Sequence, residues 1–63
     1  MFEFFEVHDF DGVCFYRWDV ACGTMEFCED GTWYPSSFTP AMLMYYAEEW
    51  DDVSIFKRND GPC

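Results

Sequence analysis

The stretch "FEFFEVHDFDGVCFYRWDVACGTMEFCE" (residues 2–29) decides the fold, because turn residues interrupt a pattern that alternates with period two. "DFDG" at 9–12 predicts a hairpin turn, and "CG" at 22–23 predicts a tight second turn. "DG" at 30–31 is a strong signal for a third hairpin. The segments between these turns are rich in the β-branched and aromatic residues that strands favour. We therefore predict strands at about 2–8, 13–20, 24–29 and 32–34.

The first two turns also predict the strand register. A slip by one residue would move every side chain of a strand to the other face of the sheet, so a correct register should place the apolar side chains on one face. His8 is expected to pair with Val13, and Ala21 with Thr24. Both pairings place apolar side chains on one face, which we call the core face: Phe5, Val7, Cys14, Tyr16, Trp18, Val20, Met25 and Phe27. The other face, called the second face, is mixed: Phe2, Phe4, Glu6, His8, Val13, Phe15, Arg17, Asp19, Glu26, Cys28 and Trp33.

A helix is predicted at about 40–52. Thr39 is a suitable N-cap, and Pro40 suits the first helical position. A step of 100° per residue aligns one apolar stripe that should pack on the core face: Leu43, Tyr46, Ala47 and Trp50. The opposite side of the helix carries Ala41, Tyr45, Glu48 and Asp52.

"VSIFKR" (53–58) is typical of a last strand, and residues 59–63 are expected to form a loose tail. With 63 residues the chain is predicted to be a single domain spanning 1–63. The expected class is α+β, a small antiparallel meander of three to four strands packed on one amphipathic helix. The last strand should join an edge of this sheet.

The charge balance indicates the kind of partner. Thirteen acids stand against three bases, which gives a net charge of −10. Such a charge favours basic partners and argues against direct binding of DNA, RNA or an anionic membrane. The alternative is that the acids only keep an aromatic-rich protein in solution.

"YYAEEWDD" (45–52) raises a question about those acids, because four of them fall where the helix is expected to end. The helix dipole is negative there, so these acids do not help folding. Helix neighbours lie about 5–6 Å apart and same-face strand neighbours about 6.6 Å apart, which resembles the spacing of successive phosphates. A folded acidic ridge could therefore occupy a cleft built for nucleic acid.

The four cysteines are expected to be free thiols in a cytoplasmic protein, because "MFEFFEVHDF" lacks the features of a signal peptide. Cys14 and Cys28 lie on opposite faces of the predicted sheet, which disfavours a bond between them. Cys22 and Cys63 are interpreted as incidental thiols. The alternative is a secreted protein stabilised by disulfides.

Catalytic and metal chemistry have little support in the sequence. His8, Asp9, Asp11 and Cys14 do not match the ligand spacing of a zinc or calcium site. The chain offers no Gly-rich phosphate loop and no evident nucleophile and base pair. We expect no enzymatic activity and no cofactor.

The function we predict is that of a small acidic inhibitor encoded by a phage or mobile element. It would bind the basic nucleic-acid-binding groove of a host enzyme, such as RNA polymerase, a nuclease or a defence complex, partly as a nucleic-acid mimic. The residues expected to bind this partner are Tyr45, Glu48, Glu49, Asp51, Asp52, Glu26, Glu29, Asp30 and Trp33. The alternative is an interaction or assembly module, or a homodimer, that binds through aromatic residues of the second face: Phe2, Phe4, Phe15 and Trp33.

Overall fold

The computed structural model describes residues 1–61 and 63, and it contains five strands and one helix. The elements in chain order are β1 (Phe2–Asp9), β2 (Gly12–Asp19), β3 (Thr24–Glu29), β4 (Thr32–Ser36), α1 (Pro40–Glu49) and β5 (Ser54–Arg58). All neighbouring strands are antiparallel, in the order β4-β3-β2-β1-β5. The predicted α+β class is confirmed, although the sheet has five strands, with β5 beside β1.

The fourth strand is longer than predicted, because β4 continues through Pro35 to Ser36. Proline lacks the backbone N–H that a central strand needs, so the sequence suggested that the strand ends at residue 34. In the structure β4 is an edge strand that pairs only with β3, and Pro35 lies opposite Glu26. The missing donor costs little at such an edge.

The first hairpin has the predicted register, with His8 opposite Val13. In the second hairpin the predicted pairing of Ala21 with Thr24 is wrong, because Asp19 pairs with Thr24. The Asp19 carboxylate accepts hydrogen bonds from the N–H groups of Ala21 (3.0 Å) and Cys22 (3.1 Å), which stabilises a longer turn. The register shifts by an even number of residues, so the two faces of the sheet keep their side chains.

The core lies between the core face and α1. Its buried members are Phe5, Val7, Met25 and Leu43. Partly buried apolar side chains surround them: Tyr16, Trp18, Phe38, Val53 and Ile55. Val20 was assigned to the core face, but it lies in the second turn and is 49% exposed.

Helix α1 begins as predicted and ends three residues early. Thr39 Oγ1 accepts a hydrogen bond from the N–H of Met42 at 3.2 Å, and Pro40 is the first helical residue. Trp50 has extended dihedral angles, so the helix ends at Glu49. The Trp50 carbonyl then accepts a hydrogen bond from the N–H of Val53 (3.1 Å), which closes a turn before β5.

The C-terminal segment differs from the predicted loose tail with free thiols. Cys63 forms a disulfide with Cys28 on the second face. A Cβ atom at Gly61 would lie 2.9 Å from a ring carbon of Phe4 and 3.0 Å from one of Trp33, so the Gly61 backbone packs on these rings. Cys14 and Cys22 remain free thiols. Pro62, which belongs to the predicted tail, lies outside the described residues.

Candidate functional site

Topology brings most of the acidic residues to one end of the sheet. Strands β1 and β3 are both antiparallel to β2, so they run in the same direction and finish at the same end. Strand β5 starts there as well, because Ser54 pairs with His8 near the end of β1. The turn between α1 and β5 therefore lies beside the first hairpin turn. We call this region the acidic end: Asp9, Asp11, Glu29, Asp30, Glu48, Glu49, Asp51 and Asp52.

The cationic side chains lie towards the opposite end and are paired there. Their ion pairs are Arg17 with Glu26 (2.8 Å), Lys57 with Glu3 (3.0 Å), and Arg58 with Glu6 (2.5 Å) and Asp60 (3.7 Å). His8 also contacts Glu6. Contacts with His8 and Arg58 hold the pKa of the Glu6 carboxyl below its usual value. Within residues 1–61 and 63, no carboxylate of the acidic end takes part in an ion pair.

The charges of carboxylates from two strands influence one thiol at the acidic end. Burial raises the pKa of the Cys14 thiol above its usual value, and the charges of Asp9 and Glu29 raise it further. Asp9 comes from the end of β1 and Glu29 from the end of β3. The influence of both carboxylates on one side chain supports the convergence that the topology implies.

An apolar pocket of about 300 Å³ opens at the acidic end, between α1 and the core face. Val7, Leu43 and Ile55 form part of its floor, and the side chains at its edge are Asp9, Phe10, Trp50 and Asp52. Phe10 is 80% exposed and Trp50 is 59% exposed, so both rings stand in solvent beside the carboxylates. The site combines an apolar cavity with a negatively charged rim. We call it the acid-rimmed pocket.

Aromatic side chains fix the wall of the acid-rimmed pocket that is formed by Tyr16, Phe38 and Tyr46. The rings of Tyr16 and Phe38 meet edge to face at 6.0 Å, and those of Phe38 and Tyr46 at 5.7 Å. Edge-to-face packing is a favourable arrangement for aromatic rings. These contacts stabilise the wall.

The residues predicted to bind a partner lie in three places. Six of them lie together at the acidic end: Glu29, Asp30, Glu48, Glu49, Asp51 and Asp52. Tyr45 is 58% exposed on α1, and its ring lies 5.9 Å from that of Tyr46. Glu26 and Trp33 lie on the second face instead, where Glu26 is bonded to Arg17.

The aromatic residues of the second face pack on two cations and on the tail. The Arg17 guanidinium lies 4.6 Å from the ring centres of both Phe2 and Trp33, and the Arg58 guanidinium lies 5.8 Å from that of Phe15. Gly61 covers part of Phe4 and Trp33. Phe56 lies opposite Glu6 and therefore belongs to the second face as well. At 54% exposure it is the most exposed aromatic side chain of this face among the described residues.

Sequence reasoning missed Phe10 and Trp50. The sequence pattern places Phe10 in a turn and Trp50 in the core stripe of the helix, and neither position indicates a binding residue. A large aromatic residue in the middle of "DFDG" was an available signal, because hairpin turns usually carry small or polar residues. Helix α1 ends at Glu49, before Trp50, and this exposes the Trp50 ring. The sequence contains no signal that predicts this end.

Comparisons with protein-family models, curated proteins and solved structures found no match for this chain. In the described part of the chain, no helix is both long and apolar enough to cross a bilayer. The same residues contain no group of three or more His, Cys, Asp or Glu side chains arranged to hold a metal ion. The acidic end and the acid-rimmed pocket are the features from which a function can be argued.

Proposed function

We propose that this protein is a small acidic inhibitor that binds a basic nucleic-acid-binding groove of another protein and blocks it, partly as a nucleic-acid mimic. The observation that carries the proposal is the collection of eight carboxylates at one end, without a cationic partner among the described residues. The three basic residues are all engaged elsewhere, so most of the net charge of −10 lies at the acidic end, where a partner can reach it.

These carboxylates lie where they can help to recognise a partner but do not stabilise the fold. Glu48 and Glu49 occupy the last turn of α1, which contains no basic residue. Negative charge there opposes the helix dipole. Grouping like charges at one end adds repulsion that the fold must withstand, whereas the same grouping accelerates encounter with a basic surface.

The dimensions of the acidic end suit a groove that binds nucleic acid. Strand spacing of about 4.8 Å separates β5 from β3 by roughly 14 Å. Carboxylates distributed over that width can meet several Lys and Arg side chains at once, through charge-assisted hydrogen bonds of the kind that phosphates make. A bound acidic end would then exclude nucleic acid by occupying its sites.

The size and charge of the chain are compatible with a phage or mobile-element product that disables a host enzyme. RNA polymerase, nucleases and defence complexes all expose basic grooves to nucleic acid, and any of them offers the required surface. The chemistry of the acidic end favours a cationic groove, and the capture experiment below would identify the enzyme that carries it.

The test is capture of proteins from a bacterial lysate at low salt, followed by elution with excess duplex DNA or RNA. Proteins that bind through a nucleic-acid groove should be released by the nucleic acid and identified by mass spectrometry. The variant E48K/E49K/D51K/D52K should capture none of them. Unchanged capture by this variant, or a failure of nucleic acid to release any captured protein, would contradict the proposal.

A matched pair of variants tests whether the rate of association depends on where the negative charges lie or only on the total charge. E48Q/E49Q removes two charges from the acidic end, and D19N/D60N removes two charges from the other end of the molecule. Asn keeps an oxygen that can accept the turn hydrogen bonds of Asp19. Slower association is expected for E48Q/E49Q only, because local charge steers encounter. Equal slowing by both variants would indicate a general charge effect.

A second candidate function, an interaction module that binds through the second face, is favoured by one observation. Phe56 and Phe2 expose 54% and 39% of their surface on that face. In this case Phe4→Ala, Phe15→Ala or Trp33→Ala would abolish binding of the captured protein, and salt would have little effect on the affinity. Binding that persists in these variants and weakens with salt would exclude this candidate.

A further inference from the structure

We infer that the acid-rimmed pocket receives one large apolar side chain from a basic segment of the partner, with Lys or Arg next to that side chain. The inference rests on the proposed function and adds to it the chemistry of the partner's central contact. Its basis is the position of an apolar cavity inside the acidic end. Carboxylates alone would bind any polycation, whereas the cavity selects among polycations.

The volume of the pocket suits a single side chain. Pockets for small ligands range from about 300 to 1,000 Å³, and this one, at about 300 Å³, is at the lower limit. Its floor is aliphatic and its wall aromatic, formed by residues such as Leu43, Ile55 and Phe38. A Phe, Leu or Met side chain would bury its apolar surface there without leaving a polar group unsatisfied.

The rim of the pocket selects the neighbours of that side chain. Asp9 and Asp52 stand at the edge together with the exposed rings of Phe10 and Trp50. A cation beside the apolar anchor would reach both carboxylates, and its Lys or Arg head would also meet the negative faces of the two rings. An acidic neighbour would be repelled.

The pocket and its rim together resemble the centre of a protein interface. Interface energy concentrates in a few anchors that fill pockets, and polar contacts around them contribute mainly to specificity and rate. Phe10 and Trp50 are large apolar groups exposed beside the pocket, and apolar surface of this kind, rimmed by polar residues, is typical of interaction sites. An inserted side chain would bury both.

Three synthetic pentapeptides with blocked ends test the inference by NMR titration of the labelled protein. The first, Lys-Lys-Phe-Lys-Lys, offers an apolar anchor among cations. In the second, Ser replaces Phe, and in the third, Glu replaces every Lys. The Phe peptide should bind about ten-fold or more tightly than the Ser peptide, because burial of a Phe side chain is worth at least that factor. The Glu peptide should not bind.

Variants of exposed residues test whether the difference in affinity between the Phe and Ser peptides arises at the pocket. Phe10→Ala and Trp50→Ala should each reduce the preference for the Phe peptide over the Ser peptide. The affinity for the Ser peptide should fall less, because this peptide loses only the contact of its Lys heads with the removed ring. Both residues are exposed, so truncation should preserve the fold. Phe56→Ala is the matched control, because it removes an aromatic ring of similar exposure from the second face. D9N/D52N should weaken binding of both basic peptides.

Each outcome of the titration is informative. Equal affinity for the Phe and Ser peptides would overturn the inference and leave the proposed acidic recognition in place. Failure of both basic peptides to bind would contradict the proposed function itself. Binding of the Glu peptide would show that the pocket takes apolar groups regardless of charge. Shifts of the Phe10 and Trp50 signals on simple dilution would identify a second copy of the chain as the occupant. Either of these last two results would overturn the inference.

Discussion

Cys28 and Cys63 are joined by a disulfide that closes a loop with a sequence separation of 35, and their Cα atoms lie 6.2 Å apart. Cys28 lies in β3 on the second face, so the bond draws the C-terminal segment across that face. The tail is therefore part of the folded body, which explains why Phe4 and Trp33 are only partly exposed.

Reduction of this disulfide should lower the free energy of unfolding by about 2–4 kcal/mol, since a loop of this length loses much entropy in the unfolded state when it is closed. Urea unfolding with and without a reductant measures the difference, and Cys63→Ser should match the reduced protein. Cys22→Ser is the control, because Cys22 is an exposed free thiol. A stability that does not depend on the reductant would contradict the bond.

Gly61→Ala should lift the tail from the second face. The added Cβ would lie 2.9 Å from a ring carbon of Phe4 and 3.0 Å from one of Trp33, so the rings or the backbone must move. We expect a loss of about 1–3 kcal/mol, typical of overpacking, measured by chemical denaturation. Asn59→Ala, at an exposed position of the same segment, is the control. The prediction fails if both variants unfold at the same denaturant concentration.

Neutralising the acids in the last turn of α1 should stabilise the protein. Glu48→Gln and Glu49→Gln each remove a negative charge from the negative end of the helix dipole, which is worth about 0.3–1 kcal/mol per residue. Thermal unfolding at low salt measures the gain. Glu29→Gln is the control, because it makes the same change of net charge outside the helix. Only the gain in stability beyond that of Glu29→Gln measures the effect of the helix dipole. A gain equal to that of the control would exclude a dipole effect.

Alkaline unfolding should depend on Tyr16. Burial first, and then contact with Cys14, raise the pKa of Tyr16 to about 12, compared with 10.0 for an unperturbed tyrosine. Because the folded pKa is the higher one, this group contributes stability that is complete below pH 10 and is lost as the pH rises towards 12. Tyr16→Phe should flatten this part of the stability profile, measured by denaturation at several pH values. Tyr45→Phe, which removes an exposed phenol, serves as control. An unchanged alkaline profile in Tyr16→Phe would refute the assignment.

Local patterns in the sequence were sufficient for the strands and for the start of the helix. Turn residues at 9–12 and 30–31 delimit strands because their backbone preferences act within a few residues. Thr39 and Pro40 define the start of α1 for the same reason. The error in the second hairpin left the faces unchanged, since an even shift preserves which side chains point to the core.

The features that the sequence could not provide depend on contacts between distant segments. The bond from Cys28 to Cys63 requires the path of the tail across the sheet. The acids of 48–52 join those of 9–11 and 29–30 at one end only because β5 lies beside β1. The end of α1 lacked a glycine signal, so four acids were assigned to the helix although Asp51 and Asp52 lie in the following turn.

The ladder between β1 and β5 also determines when the binding surface is completed during folding. Three hairpins connect consecutive strands and can form early, because short loops close at little entropic cost. The pairing of Val7 with Ile55 joins residues separated by most of the chain, so it belongs to the slow, non-local part of folding. Only that step brings Asp52 next to Asp9 at the edge of the pocket. A chain that has folded only its meander would therefore carry the charges without the surface that a partner recognises.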